Sequence, residues 1–417
     1  MTLRRHLTDV RPLRASRNFR EIWAASLLTG LAAQIAAVAA LAQIWDHTRS
    51  PIWTGAIGLA QGIPLLLLGA VGGSLADRYD RRTIVLISTL GQAAAAAALT
   101  LQAALGNSGP LPVLAIIAAG SAANALGSPA RRTLPVRLLP RDQVAAGLAL
   151  QNMAFQISML VGPAIGGLLI AVTLPAGYAA QALMMPLALV AAFRLPSLPP
   201  DRTPGTKVER GGWGFPLRMP VLRGALLTDL ATMTLSMPIA IFPMINDLRF
   251  DGDPRTLGLF LSAIGAGGIA AGLASGFVTR LPSPGLVQLV CAATWGAALV
   301  GFAFAPHAAL ALAALAVAGA ADTVGVVTRG SLVQLVTPDA FRGRVSAVDH
   351  VIGVAGPEVG NMRGGVLAAA LGAPAALAIG GASAVVATIL IGVTHRDLRQ
   401  YQSTDTTEPS ADMQPTM

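Results

Sequence analysis

The chain has 417 residues, 54% of them hydrophobic and only 12% charged, with 45 glycines, a formal net charge of +9 and a positive mean hydropathy. A soluble globule of this length needs less apolar residue for its core, so the composition points to a protein solvated by lipid. The arginine excess then reflects topology and attraction to anionic lipid, and no nucleic-acid partner is expected. The lone Cys291 packs as a small apolar residue and allows no disulfide or metal framework.

In chain order, a basic N-terminal segment, 1–19, is followed by apolar runs at 20–46, 52–76, 83–105, 110–128, 143–173 and 176–194. A polar connection spans 195–220, and further runs occupy 221–245, 256–278, 284–305, 308–328, 344–371 and 373–393. A hydrocarbon core about 30 Å thick needs about 20 apolar helical residues, so each run spans it once. The runs are too long for barrel strands and lack period-two alternation. The expected fold is an all-α polytopic membrane protein with twelve transmembrane helices. The first run is long enough to span and is followed by eleven more, so no cleavable signal is expected.

Arginine and lysine stay on the cytoplasmic side of a membrane. Arg4, Arg5, Arg11, Arg14, Arg17 and Arg20 precede the first run, and Arg78, Arg81, Arg82, Arg131, Arg132, Arg137 and Arg141 fall in the second and fourth connections. The sixth connection adds Arg194, Arg202, Lys207, Arg210, Arg218 and Arg223, the eighth Arg280, the tenth Arg329, Arg342 and Arg344, and the tail Arg396 and Arg399. The opposite side receives only Arg49, Arg249 and Arg255. Both termini are therefore expected in the cytoplasm of a multi-pass cell-membrane protein, which requires an even number of spans.

The sixth connection collects Pro196, Pro199, Pro200, Pro204, Gly205, Gly211, Gly212, Gly214 and Pro216, a composition that opposes regular structure. It divides the chain into a six-helix bundle at 20–194 and a second at 221–393, with 394–417 a cytoplasmic tail expected to be disordered. Shifting the second half by 198 residues brings Arg131 onto Arg329, Pro140 onto Pro338, Gly162 onto Gly360, Gly166 onto Gly364 and Gly167 onto Gly365. These matches read as a diverged internal repeat, that is, two pseudo-symmetric halves with substrate between them near the midplane.

Three segments carry a family likeness. Gly72-Gly73-Ser74-Leu75-Ala76-Asp77-Arg78-Tyr79-Asp80-Arg81-Arg82 sits in a short connection, Gly162-Pro163-Ala164-Ile165-Gly166-Gly167 in helix five, and Pro357-Glu358-Val359-Gly360 in helix eleven. Together they resemble the major facilitator superfamily, and within it the enterobactin-exporter-like branch of bacterial efflux proteins, over residues 15 to 400. Asp80 stands where a glycine is usual. The resemblance implies a cytoplasmic latch of Gly73, Asp77, Arg78, Arg81 and Arg82, with the Asp77 carboxylate meeting the start of helix eleven near Arg344 and Val345. Physically, an anion at a helix N-terminus gains about 0.3 to 1 kcal/mol when exposed. The counterpart around Gly272 to Arg280 has no aspartate, so the latch would exist in one half only. The alternative is that these charges only enforce topology.

In helix five, Ser158, Gly162 and Gly166 form one small face for close helix approach at the half interface, and Pro163 removes a backbone donor. Plain packing is the alternative to the antiporter signature that Gly162, Pro163, Gly166 and Gly167 resemble. Ionisable groups within spans mark function by default. Glu358, then Asp229, then Asp322 are the candidates for a proton or substrate site, with Arg363. Glu358 and Arg363 are five residues apart, about 140° around a helix, so each needs a partner elsewhere. A structural pair with Arg363 or a helix-end position is the alternative for each acid. Asp349 and His350, near the start of helix eleven, read as gate or surface residues. Gln34, Gln61, Asn124, Asn152, Gln156 and Asn361 can hydrogen-bond a substrate or one another. The arginine-containing signature of many drug antiporters is missing from helix four, since 111–128 holds no charge.

Nucleophile turns, phosphate-binding loops and clustered His or Cys ligands are absent from the sequence, so neither enzyme nor cofactor is expected. The reading is a secondary transporter of the plasma membrane, working by alternating access. It is expected to act as a monomer and to export an amphipathic small molecule, by resemblance a siderophore or hydrophobic drug, in exchange for protons. The alternatives are uptake of an anionic metabolite bound by Arg363, and a sensor or assembly partner that moves nothing.

Overall fold

A computed structural model describes residues 9–106, 109–200, 215–274, 281–338 and 341–402. Arg4, Arg5, Arg202, Lys207, Arg210 and Arg280, much of the proline- and glycine-rich connection, and the tail beyond 402 lie outside them. The first six long helices are α1 (Arg17–Thr48), α2 (Pro51–Arg78), α3 (Arg81–Ala104), α4 (Pro110–Leu138), α5 (Val144–Val172) and α6 (Leu174–Arg194). The second six begin with α7 (Pro220–Ser236), which continues after a break as Phe242–Arg249. They go on through α8 (Pro254–Leu273), α9 (Pro284–Phe304), α10 (Ala308–Val336), α11 (Arg342–Leu371) and α12 (Ala373–Thr394). No strand occurs among the described residues.

Proline marks many of the starts. Pro51, Pro110, Pro220, Pro254 and Pro284 open their helices, where the missing N–H would have had no partner. Eleven of these segments are long and apolar enough to cross a membrane. The one that falls short by composition is α11, 30 residues long but interrupted by Asp349, His350, Glu358 and Arg363.

Two of the expected runs end too early. Helix α4 continues to Leu138 and α10 to Val336, so Arg131, Arg132, Arg137 and Arg329 lie on helices rather than in connections. The apolar run stops where the arginine begins, but the backbone does not, because polar helix can extend past the hydrocarbon. The seventh run is interrupted: α7 stops at Ser236 before Pro238, and a 3₁₀ turn at Ile239–Ile241 leads into the second piece. Helix α8 ends at Leu273, and 275–278 of the eighth expected run lie outside the described residues.

The first six helices pack mainly on one another, and so do the second six; extensive contact between the sets is confined to α2 against α11 and α5 against α8. Both seams follow the 198-residue shift. A methyl at Gly167 would meet the Pro254 carbonyl at 2.6 Å, and one at Gly365 would meet the Pro51 carbonyl. Thr54 donates to the Ala240 carbonyl at 2.7 Å, and Arg49 pairs with Asp247 at 2.8 Å, both at the arginine-poor end. Toward the arginine-rich end the seams part: a methyl at Gly69, Gly73 or Gly272 would meet nothing within 4 Å. The Arg132 guanidinium nonetheless reaches across there to the His350 ring at 3.3 Å.

Candidate functional site

Helix α11 delivers Glu358 across the seam. Gly58 and Gly62, one turn apart on α2, face it: a methyl at Gly62 would lie 2.9 Å from the Glu358 Cγ, and one at Gly58 2.6 Å from its Oε2. Without side chains at those two places, the carboxylate passes α2 and lines a cavity of about 340 Å³ among the first six helices. Thr29, Gln34, Gln61, Gln92, Ser121, Asn124 and Gln181 supply its polar wall, and Leu65, Leu99, Ile116 and Met185 the apolar one. Among the described residues the one hydrogen bond to the carboxylate is long, from the Asn361 amide at 3.4 Å. A second cavity of about 380 Å³ adjoins it through Thr29, Ala33, Gln92 and Asn124 and reaches Arg131. Arg131 is fixed by Ser88 Oγ at 2.8 Å and Asn124 Oδ1 at 2.6 Å.

The other acids lie in the second set of helices. Asp229 of α7 is paired with Arg329 of α10, not with Arg363, and the two side chains are 10% and 7% exposed. Arg329 Nε also lies 2.8 Å from Asp349 of α11, with the N–H not aimed at the oxygen, so this contact is coulombic. One buried guanidinium thus ties three helices together. Asp322 lines a small cavity beside Asp229. Arg363 turns away from both and donates to the Leu235 carbonyl, one of the acceptors left open where α7 breaks. Its fixed guanidinium serves the broken helix.

The small face of helix five meets α1 rather than the half interface. A methyl at Gly162 would lie 2.6 Å from Gln34 Cβ and one at Gly166 3.2 Å from Ile35 Cα, while Ser158 sits opposite Gly30. From that motif, Gly167 and the Pro163 carbonyl reach α8 at Gly258.

In the connection between α2 and α3, Asp77 is exposed and makes no hydrogen bond or ion pair with another described residue, while Arg344 lies over the Phe341 ring at 5.6 Å. Asp80 organises the loop. It caps α3 through the Arg82 N–H at 2.8 Å and accepts from Ser197 Oγ at 2.5 Å and the Leu198 N–H at 3.0 Å. Burial pushes this carboxyl up, but the hydrogen bonds from Ser197, Leu198 and Arg82 outweigh it and hold it below its ordinary value. Arg81 and Arg82 donate to the Pro199 and Phe193 carbonyls, so this part of the loop is bound to the end of α6. Arg78 is exposed.

Among the amides, Gln34 and Gln61 line the cavity, and Gln34 also reaches the Met159 sulfur at 2.7 Å. Asn361 accepts from the Ala240 N–H at 3.3 Å at the break in α7. Gln156 lies at the α5–α8 seam near Gly268, and Asn152 is exposed away from the cavity. Residues that the sequence reading overlooked are Gln92, Gln181, Ser121 and Arg329. Arg329 alone left a signal, since it is the repeat partner of Arg131.

A chain-wide comparison fits this architecture. The family described as Transmembrane secretion effector, within the major facilitator superfamily, matches residues 8–417. Enterobactin exporter EntS of Shigella boydii serotype 18 is 26% identical over 93% of this chain and 94% of its own length. Multidrug efflux pump Tap of Mycolicibacterium fortuitum is 29% identical over 84% and 88%. The fold is similar to that of the solved nucleoside transporter NupG, with a TM-score of 0.72 at 13% identity over 92% of this chain and 100% of that one. It is also similar to a D-xylose-proton symporter, with a TM-score of 0.69 at 14% identity over 89% and 96%. With twelve long helices among its described residues, two glycine seams and a cavity that α11 enters, the chain belongs to the Transmembrane secretion effector family of major facilitator transporters, and its work is transport rather than catalysis.

Proposed function

We propose that the protein is a proton-coupled exporter of an amphipathic small molecule, moved by rocking two bundles, 20–194 and 221–393, about the α2–α11 and α5–α8 seams. The observation that carries this reading is Glu358 projecting between Gly58 and Gly62 into a cavity of about 340 Å³ with mixed amide and apolar walls. Volumes of roughly 300–1,000 Å³ suit drug-sized ligands. A carboxyl with one weak partner, in a cavity that alternates its exposure, is suited to carry a proton in exchange for cargo. The arginine-rich end is assigned to the cytoplasm by the positive-inside rule, with both termini there, so the cavity is open inward. The named activities of the two relatives, enterobactin export and multidrug efflux, favour a siderophore or hydrophobic drug as cargo. The protein acts as a monomer, since cavity and seams are completed within one chain.

Uptake of an anionic metabolite is the second reading, and Arg131 at the wall of the adjoining cavity favours it rather than Arg363. Proteoliposomes loaded with a pH-sensitive dye separate the two. An exporter releases protons against catecholate or cationic-dye substrates, and Glu358→Gln abolishes the exchange. Transport of equal rate and pH dependence in Glu358→Gln would refute the coupling role.

A further inference from the structure

Among the second six helices lies a space of about 30 Å³, lined by Thr228, Asp229 and Thr232 of α7, Gln288 and Cys291 of α9, and Asp322 of α10. It holds one or two water-sized particles and no organic substrate. Its polar groups are almost all acceptors. The Thr228 and Thr232 hydroxyls donate to the Gly224 and Thr228 carbonyls at 2.8 and 2.7 Å, which leaves their lone pairs to the cavity. Gln288, 3% exposed, donates its amide to the Ala225 carbonyl at 2.8 Å, so its Oε1 is left buried with no partner. Asp229 Oδ2 is unpartnered too, and Asp322 accepts no hydrogen bond among the described residues. The nearby Trp295 N–H is committed to Ser236 Oγ at 2.9 Å, which leaves the Cys291 thiol and the second Gln288 amide hydrogen as the donors of the lining.

Charge points the same way. Asp229 and Asp349 lie against the Arg329 guanidinium and Asp322 lines the same space as Asp229, three carboxyl groups to one guanidinium among the described residues. Excess buried negative charge within a membrane helix bundle is costly unless a cation or proton offsets it. No group of three His, Cys, Asp or Glu side chains assembles a metal cage among the described residues. An all-oxygen acceptor set around so small a space suits a hard monovalent ion. We propose that this space takes up a monovalent cation between Asp322 and Asp229, either sodium or a proton carried on the Asp322 carboxyl, as a site separate from the cavity that Glu358 enters. The reading of the chain as an ion-coupled transporter gives the site its purpose; its chemistry stands without that reading. Through Arg329, which touches Asp349, occupancy is felt on α11, the helix that carries Glu358.

The test uses the full chain in nanodiscs. Equilibrium binding of radioactive sodium at pH 8 is measured alongside infrared difference spectra between pH 8 and pH 5, for wild type, Asp322→Asn, Gln288→Leu and Glu358→Gln. Saturable binding of one sodium per chain, weakened at least tenfold in Asp322→Asn and Gln288→Leu and retained in Glu358→Gln, establishes a sodium site. No sodium binding, with a protonated-carboxyl band that Asp322→Asn removes and Glu358→Gln keeps, establishes a proton site. If neither ion is taken up and the space holds water only, or if both signals survive Asp322→Asn, the proposal is overturned. Gln288→Leu leaves every charge in place, and decides the sodium arm if Asp322→Asn does not elute as a monodisperse protein. Proton exchange that survives Glu358→Gln would refute the coupling role of that residue and leave this site standing.

Discussion

A methyl group placed in either glycine seam should move the resting conformation. In Gly167→Ala the new carbon lies 2.6 Å from the Pro254 carbonyl oxygen and 3.1 Å from Arg255 Cα. In Gly365→Ala it lies 3.0 Å from the Pro51 carbonyl carbon, with the oxygen closer still. Both neighbours are backbone at a helix start, which cannot turn aside as a side chain would. Overpacking of this kind costs about 1–3 kcal/mol, a factor of roughly 5 to 150 in a two-state equilibrium. The cost falls on the state whose arginine-poor end is closed, so the population moves toward the state in which that end opens. Spin labels at Thr173 and His307, in a chain carrying Cys291→Ser, report the separation by double electron–electron resonance. Each variant should gain a longer-distance population. Gly73→Ala, whose methyl meets nothing within 4 Å, should not. An unchanged distribution in both seam variants, or an equal change in Gly73→Ala, would refute the argument that these seams set the conformation.

Arg329→Gln leaves Asp229 and Asp349 buried without their shared cation and should destabilise the protein by about 3–5 kcal/mol, seen as a lower thermal midpoint in detergent, while Arg329→Gln with Asp229→Asn recovers part of the loss. Asp80→Asn keeps an acceptor oxygen for the cap but loses the charged oxygen that Ser197 Oγ donates to, and should lower the midpoint at pH 7 by an amount consistent with one hydrogen bond to a charged group, about 1.5–3 kcal/mol. Because the folded carboxyl titrates below its ordinary value, its contribution is complete above the unfolded value and disappears as pH falls through the folded one. Wild type and Asp80→Asn should therefore converge only in acid, below about pH 4; convergence near neutrality would contradict the assignment. Asp77→Asn, at an exposed side chain, should leave midpoint and substrate affinity unchanged yet lower turnover. A loss of affinity alone would remove the latch.

The fold was legible because lipid demands long apolar runs and proline announces their starts. What composition missed were the places where helix and hydrophobicity part company. Arg131 and Arg329 close their apolar runs, but the backbone continues to Leu138 and Val336, and both guanidiniums end up bonded within helix pairs. The break in α7 was hidden because Pro238 lies inside an unbroken apolar stretch that reads as one span. Asp80 read only as a departure from the family's usual glycine; the return of residues 197–198 to α3 shows its work as a tie between helices distant in sequence.

The candidate site was legible residue by residue but not as an arrangement. Glu358 was visible as a costly acid, yet its destination depends on Gly58 and Gly62 of a helix some 300 residues earlier, and glycines in membrane helices are too common to single out. The repeat holds the better clue. The same shift that pairs Arg131 with Arg329 pairs Asn124 with Asp322 and Gly127 with Gly325, so one scaffold position carries a neutral amide in the first half and a carboxylate in the second. In the first half Arg131 is satisfied by Asn124 and Ser88, and the space around it stays open and uncharged enough for cargo. In the second, Arg329 is drawn between Asp229 and Asp349 and the remaining space shrinks to the size of an ion. The proposed cargo cavity and the proposed ion site thus fall in different halves of the repeat, and the exchange of an amide for an acid separates them.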